Sequence, residues 1–221
     1  MPLALLTGAA RANSIAAGVA PRLVADGWHV VTSDLTAADY PADLSDPASP
    51  AALIEAVRGD HGPLDALILS HAHDVQSGIL DTTADSFDRH VAVNARASLL
   101  LIAAFARQAP PAGGAIVAFT SDHTTGNLPY GASKGALDRI VISAARELGP
   151  RGISANVVNP GPIDTGWMDD ETRTALTGMH PLGRMGTPRD IGGVVAFLLS
   201  PEGRWVTGQL LHTDGGFSAR F

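Results

Sequence analysis

Tyr130 and Lys134 are the residues of this sequence whose types and spacing most directly suggest chemistry. Lys134 is the only lysine, and it follows one of only two tyrosines by four residues. On a helix, residues four apart lie on one face, so this phenol and this ammonium would project together. A free phenol, with a pKa of about 10, is mostly protonated at neutral pH, and nearby positive charge lowers that pKa. The pair therefore indicates proton transfer, with Tyr130 as general acid/base and Lys134 lowering its pKa.

The elements around this pair predict an α/β fold. Short apolar runs alternate with longer amphipathic stretches, and several runs are apolar on both faces, as parallel strands covered by helices are. The chain therefore predicts a doubly wound parallel sheet with helices on both faces, in a single domain over 1–221. The predicted strands are Leu3–Leu6, Trp28–Thr32, Leu64–Ser70, Ala115–Thr120, Ile153–Val158 and Gln209–His212; the predicted helices are Ser14–Ala25, Pro50–Asp60, Asp85–Gln108, Gly131–Leu148 and Pro188–Leu199.

Composition excludes several classes of protein. A chain of 221 residues, 45% hydrophobic, can bury one substantial core. Cysteine is absent, so disulfides, a thiol nucleophile and thiolate metal sites are excluded. The net charge of −7 argues against a nucleic-acid partner. The apolar run Pro2–Leu6 lacks a basic region and is too short for a signal peptide or membrane span, so we expect a cytoplasmic protein without membrane contact.

The segment after the first strand is a candidate phosphate-binding loop. In an α/β sheet of this kind a dinucleotide pyrophosphate meets backbone N–H groups where the first helix begins, near Ser14 and Ile15. Of the G-x-G-x-x-G pattern only Gly8 is present, although the other side chains of the loop are mostly small. An ordinary turn, with Asn13 or Ser14 as helix N-cap, is an equally open interpretation.

Asp34 and Arg11 bear on which dinucleotide would bind. Asp34 closes the second predicted strand, where a carboxylate accepts hydrogen bonds from the adenosine ribose and repels a 2′-phosphate. Arg11, within the loop, could instead pair with a 2′-phosphate. A solvated turn residue is the alternative role for Asp34. The sequence favours NAD over NADP.

Motifs along nearly the whole chain resemble those of the short-chain dehydrogenase/reductase family. Each motif is common alone, and their order and spacing carry the resemblance. They are Thr7-Gly8, Asp34, Asp43-Leu44, Val93-Asn94-Ala95-Arg96, Ser121, Tyr130-x-x-x-Lys134, Asn159-Pro160-Gly161-Pro162 with Thr165, and Thr213-Asp214-Gly215-Gly216. The resemblance implies a single Rossmann-like domain, NAD(P)-dependent interconversion of a small-molecule alcohol and a ketone or aldehyde, and a homotetramer or homodimer.

The resemblance also assigns roles to residues. Tyr130 would be the general acid/base, Lys134 would hydrogen-bond the nicotinamide ribose, Ser121 would hold the substrate oxygen, and Asn94 would support a water that relays protons to Lys134. Residues 163–187 would form an excursion that covers the substrate. The implied cofactor-binding residues are Gly8, Arg11, Ser14, Ile15, Asp34, Asp43, Leu44, Ser70, Ala72, Tyr130, Lys134, Pro160, Gly161, Ile163 and Thr165.

Three departures from the family pattern limit what the resemblance can say about substrate. The phosphate loop is about two residues longer and poor in glycine, His73 stands where a glycine is usual, and the loop Asp122–Pro129 is short. The sequence places His71 and His73 on one side of the strand end. A metal site there is conceivable, although histidines lining the cofactor cleft are the simpler interpretation, and we predict no metal. Candidate substrate residues are His73, His123, Trp167 and Met168.

The main alternative function is a dinucleotide-binding sensor or scaffold of the same fold with little catalytic activity. The glycine-poor loop and His73 motivate it. The complete set of Ser121, Asn94, Tyr130 and Lys134 argues against it, because a binding module needs no poised phenol.

Overall fold

A computed structural model of the protein describes residues 1–166 and 168–219. Seven parallel strands form one sheet in the order β3-β2-β1-β4-β5-β6-β7, which confirms the predicted doubly wound α/β architecture. The strands are β1 (Leu3–Thr7), β2 (His29–Asp34), β3 (Tyr40–Pro41), β4 (Ala66–Leu69), β5 (Gly114–Phe119), β6 (Ile153–Asn159) and β7 (Leu210–His212).

The described residues form seven α-helices. They are α1 (Ala16–Ala25), α2 (Ser49–His61), α3 (Ala84–His90), α4 (Ala97–Gln108), α5 (Leu128–Leu148), α6 (Asp170–Met179) and α7 (Pro188–Leu199), with a π-helical turn at Val91–Arg96 and a 3₁₀ turn at Gly149–Arg151. Of these helices, α1, α2, α4, α5 and α7 cover the two faces of the sheet. Among the residues described, no helix is both long and apolar enough to span a bilayer.

The alternation of side chains along the strands produces two cores. From β1, Leu3 and Leu5 pack with α2, α4 and α5 on one face, whereas Ala4 and Leu6 pack with α1 and α7 on the other. Successive side chains of a strand point to opposite faces, so a strand apolar at every position must be covered on both sides. This is why these runs lack the polar alternation of a half-exposed strand.

Three elements differ from the sequence prediction. The predicted helix Asp85–Gln108 is divided into α3, the π-helical turn and α4, although apolar periodicity continues through all three. The two-residue strand β3 is too short to produce a periodic signal. Helix α6 was not predicted; its N-cap Asp169 accepts a hydrogen bond from the Thr172 N–H, and none of its residues is buried, so it lacks an apolar stripe.

The order of strands places a binding crevice between β1 and β4. The chain winds outward from β1 to β2 and β3, then returns to β4 on the other side of β1. Ligands of open α/β sheets bind at such a switch point, outside the carboxyl ends of the strands. The loops that follow β1, β4 and β5 all emerge at this edge, and they carry the predicted site residues.

Helices α1 and α7 cross backbone to backbone at Gly18, which yields a test of the packing. A Cβ atom at Gly18 would lie 2.0 Å from the Pro188 carbonyl. We expect Gly18→Ala to destabilise the protein by about 2 kcal/mol or more, because backbone must shift. At Gly59, on the exposed face of α2, a Cβ would meet no atom within 4 Å, so Gly59→Ala should be neutral or stabilising by about 0.5–1 kcal/mol. Urea unfolding followed by circular dichroism compares the two; equal midpoints would contradict the tight crossing.

Candidate active site

Tyr130 and Lys134 lie together at the carboxyl end of β5. Helix α5 begins at Leu128, so Tyr130 occupies its first turn, and Lys134 follows one turn later. The Lys134 Nζ atom donates to the Phe119 carbonyl at 2.9 Å and lies 5.6 Å from the centroid of the Tyr130 ring. Lys134 is only 2% exposed. An ammonium has three N–H donors, and the described residues supply one acceptor, which leaves two donors for a ligand.

The protonation of this pair differs from the sequence-based expectation. The pKa of Tyr130 is raised above its ordinary value of 10.0, chiefly by burial and secondly by the Asp74 carboxylate. Burial lowers the pKa of Lys134 to about 8, against the opposing charges of Asp138 and Asp74. In the protein without cofactor the pKa of Tyr130 is thus raised, and its lowering by Lys134 together with an oxidised nicotinamide stays a prediction. The ammonium lies over the ring and bonds the Phe119 carbonyl, and it does not offset the cost of burying a phenolate.

Ser121 lies two residues beyond β5, at the same edge of the sheet. Its Oγ atom accepts a hydrogen bond from the His123 N–H at 3.1 Å, which orients the hydroxyl and leaves its own proton available to donate. His123 is exposed. Ser121 can therefore donate to a substrate oxygen, whereas the contact between His123 and substrate stays a prediction.

Asn94 ties the loop after β4 to the catalytic helix. Its Oδ1 atom accepts from the His73 N–H at 2.7 Å, and its Nδ2 group donates to the His73 carbonyl and the Ser133 hydroxyl, both at 2.9 Å. Ser133 donates in turn to the Tyr130 carbonyl at 2.7 Å. Both N–H donors of the Asn94 side chain are thus used, one on the His73 backbone and one on the Ser133 hydroxyl, and the support of a relay water by Asn94 stays a prediction.

The two histidines after β4 contact different neighbours, contrary to the sequence-based placement of both on one side. The buried His71 ring lies between β1 and α4: Nδ1 is 2.7 Å from the Thr7 hydroxyl, and Nε2 is 3.2 Å from the Val93 carbonyl. Burial and Lys134 lower the pKa of His71 to about 3, so it stays neutral. The His73 ring instead packs against His90, with centroids 4.6 Å apart. Within residues 1–166 and 168–219 no three His, Asp or Glu side chains are arranged to hold a metal.

The loop after β1 is shaped to receive a phosphate-bearing ligand. Gly8 has φ +74, and a Cβ there would lie 2.6 Å from the backbone of Ser70 and His71, so the position requires glycine. The Ser14 hydroxyl is buried and has no partner within the described part of the chain. Neither Asn13 nor Ser14 caps α1; its N-cap is Ile15, without a side-chain bond. A buried hydroxyl left free beside the open N–H groups of a helix fits a pyrophosphate.

The Asp34 carboxylate is held in place at the end of β2. One oxygen accepts from the Ala10 N–H at 2.8 Å, and the other accepts from the Leu35 N–H at 2.7 Å. Arg11, in the same loop, is exposed. Asp34 is therefore more than a solvated turn residue, because it fixes the path of the elongated loop. A carboxylate oriented in this way suits a ribose diol.

The remaining predicted cofactor residues border the same edge. Leu44 is buried, whereas Asp43 is exposed. The hydrogen bonds that the Asp43 carboxylate forms with Ser45 lower the pKa of Asp43. Gly161 has φ +61, and a Cβ there would lie 2.5 Å from Asp214. The other residues of this group are placed by the loops after β4 and β6, and no described contact assigns them a role: Ser70, Ala72, Pro160, Ile163 and Thr165.

The excursion that follows β6 is closed at its base. Ile163 pairs with Gly186 in a parallel bridge, and the Asp164 N–H donates to the Gly186 carbonyl at 3.0 Å. Arg173 on α6 holds Asp164 at 3.1 Å and the Met168 carbonyl at 3.2 Å. Met168 is buried at 7% exposure, so it packs within the protein. Trp167, the other predicted substrate residue of the excursion, lies outside the described residues.

Sequence reasoning did not single out several residues that shape this site. Thr7, Ser98 and His90 fix the two histidines: the His90 Nε2 atom accepts from the Val75 N–H at 3.1 Å, and Ser98 lies 3.3 Å from His71 Nε2. Asp74 and Asn127 join the loop after β4 to the start of α5 through a 2.8 Å hydrogen bond. These contacts link residues 15 to 64 positions apart, and such pairs leave no periodic signal in one sequence.

Comparison with known proteins agrees with this geometry. Residues 8–218 match a family model described as "Enoyl-(Acyl carrier protein) reductase". An uncharacterized oxidoreductase of Bacillus subtilis is 35% identical over 241 residues, covering 97% of this chain and 96% of that protein. A blue fluorescent protein from a metagenomic library, solved with NADPH, has a TM-score of 0.90 and 34% identity, with 98% of both chains covered.

A ketoreductase supplies the third comparison. The angucycline C-6 ketoreductase LanV, solved with bound NADP, has a TM-score of 0.89 and 28% identity and covers 99% of this chain and 96% of its own. The family model and the Bacillus relative both extend over nearly the whole sequence, and the two solved structures share its fold. This chain belongs to the short-chain dehydrogenase/reductase family of oxidoreductases.

Proposed function

We propose that the protein is an NAD(P)-dependent oxidoreductase that interconverts an alcohol and a ketone or aldehyde. The observation that carries the proposal is the buried Lys134 ammonium, which has one protein acceptor and lies one helical turn from Tyr130. Burying an ammonium with two unused donors costs free energy, so a charge retained there indicates a function. Gly8, the Ser14 hydroxyl, Asp34 and Lys134 together fit a nicotinamide dinucleotide, which supplies or accepts the hydride when bound.

The residues of the site divide the remaining work. Ser121 donates to the substrate oxygen and stabilises the negative charge that develops there. In the direction of reduction Tyr130 gives its proton to that oxygen as the carbonyl carbon is reduced. The raised pKa of Tyr130 keeps it protonated at neutral pH, so it is ready as the acid. Lys134 stabilises the tyrosinate that remains until a proton from solvent replaces the one transferred.

Substitution of Tyr130 tests its role as the acid. We expect Tyr130→Phe to lower kcat by about 10²–10⁴-fold, since the phenol proton is lost, while NADH affinity stays within about threefold. The measurements are NADH absorbance with a panel of ketones and NADH fluorescence titration. Tyr40→Phe is the matched control: Tyr40, the only other tyrosine, bonds Asp60 at the far end of α2. Equal loss of binding and turnover in Tyr130→Phe would contradict the assignment, and NADH binding by an inactive wild type would favour the sensor.

The pH dependence of kcat/KM tests Lys134. Since the pKa of Lys134 is lowered to about 8, its ammonium is present below that pH and is lost above it. Because Tyr130 stays protonated there, kcat/KM for ketone reduction should fall as pH rises through about 8. Asp138 opposes the lowering most, so Asp138→Asn should move the decline to lower pH. A profile flat to pH 10 would refute this role.

Lys134→Arg separates the charge of this residue from its shape. Arginine keeps the positive charge but presents a larger, planar group to a site in which Nζ is enclosed. We expect kcat/KM to fall by about 10²-fold or more, and the residual activity should lack the decline near pH 8, because arginine stays charged there. Near-normal activity would show that any cation serves.

We also propose NAD as the preferred dinucleotide, on the strength of the oriented Asp34 carboxylate. Both solved relatives described above hold NADPH or NADP, and Arg11 could favour the same choice here. We expect kcat/KM to be higher for NADH than for NADPH in the wild type, and Asp34→Asn to narrow the ratio about tenfold, because the charge that repels a 2′-phosphate is removed. Arg11→Ala should increase the ratio of kcat/KM for NADH to that for NADPH, because a cation that could pair with the 2′-phosphate is removed. A wild type that prefers NADPH would overturn the proposal.

A further inference from the structure

Asp74 is fixed beside the catalytic helix by a buried anchor. Its Oδ1 atom accepts a hydrogen bond from the Asn127 Nδ2 group at 2.8 Å. Asn127 is 1% exposed and comes directly before α5, whose third residue is Tyr130. Because the anchor is enclosed, the carboxylate has a defined position near the first turn of that helix.

A second contact holds the same loop against α5. The Leu128 N–H donates to the Ser77 carbonyl at 3.0 Å, which also satisfies one of the open donors at the helix N-terminus. The loop that follows β4 is therefore attached to the start of the catalytic helix at two points. These two contacts fix Asp74 relative to the first turn of α5.

The charge of Asp74 is not balanced by a neighbouring cation. Asp74 is exposed, and within residues 1–166 and 168–219 its only hydrogen-bond partner is Asn127, with no ion pair. Its charge nevertheless reaches the catalytic residues, since it raises the pKa of Tyr130 and opposes the lowering of the pKa of Lys134. The second carboxylate oxygen is available to a ligand that approaches Tyr130.

The surroundings of Asp74 include an unsatisfied acceptor, and its two loops carry no lysine or arginine. The Asn127 Oδ1 atom is buried without a hydrogen-bond donor in the described structure. The two loops at this edge, residues 70–82 and 121–129, contain three aspartates and neither lysine nor arginine. Burial, the neighbouring His90 and the Arg89 cation of α3 lower the pKa of His73, so that ring adds no compensating charge at neutral pH. The edge of the site next to Tyr130 is acidic.

We propose that Asp74 recognises a positively charged group of the substrate, so that cationic ketones or alcohols react in preference to neutral or anionic ones. The proposal rests on the proposed function, because it concerns the substrate on which Tyr130 acts. A carboxylate fixed in advance attracts a cation without the cost of ordering it. It repels anions, among them thioesters carried on a phosphate-bearing arm.

A pair of isosteric ketones tests the charge alone. 4-Acetyl-N,N,N-trimethylanilinium and 4-tert-butylacetophenone have nearly the same shape and differ by one positive charge, and 4-acetylbenzoate supplies the anion. Asp74→Asn removes the charge and keeps an oxygen that can accept from Asn127. Since the intrinsic reactivity of each ketone is the same for both proteins, the change in relative kcat/KM reports Asp74. We expect the preference for cation over isostere to fall about two- to fivefold in the variant.

The control and the outcomes separate this inference from the proposed function. Asp81→Asn, an exposed aspartate of the same loop, should leave the cation-to-neutral ratio unchanged. Turnover with the same ratio in wild type and Asp74→Asn would overturn the inference and leave the proposed function intact. If neither protein turns over any ketone, the proposed function fails, and calorimetric titration of the two isosteres with NADH present decides the inference. Weaker binding of the cation to Asp74→Asn supports it, and equal binding overturns it.

Discussion

The burial of a single ammonium, that of Lys134, is the constraint on which the site depends. A charge that is 2% exposed must be compensated by fixed dipoles or by a ligand, and the Phe119 carbonyl provides one such dipole. That carbonyl lies at the end of β5, so the position of the charge is set by the sheet itself. The hydrogen bonds that join Asn94, Ser133 and the Tyr130 carbonyl hold the helix that carries Lys134 against the π-helical turn Val91–Arg96.

The acidic residues near Lys134 affect the protonation of both catalytic side chains. Asp138 and Asp74 help to keep Lys134 protonated, but Asp74 also keeps Tyr130 from ionising. The protein without cofactor is thus set to donate a proton from Tyr130 rather than to accept one. A site arranged for alcohol oxidation would need a lower pKa at Tyr130, and a bound oxidised nicotinamide, being positive, would act in that direction.

The sequence predicted what depends on local patterns. Strands such as β4 and β5 were found because they are apolar at every position, and Tyr130 and Lys134 because their spacing matches one helical turn. The π-helical turn at Val91–Arg96 was not found, since its apolar periodicity resembles that of the adjoining α-helices. The separation of His71 from His73 was missed because the chain leaves β4 at Leu69, before strand alternation could place both rings on one side. Asp74 and Asn127 carry no pattern; only the folded chain brings them together.

The π-helical turn has a consequence for how this family member could change over time. A π-turn contains roughly one residue more than an α-turn, so the helix before it and the helix after it are out of phase by that residue. His90 precedes the offset and reaches Val75, whereas Ser98 follows it and reaches His71. Loss of one codon between them would leave an unbroken α-helix, yet it would rotate one of these contacts away from its partner. The number of residues between His90 and Ser98 is therefore as important to the site as the identity of their side chains.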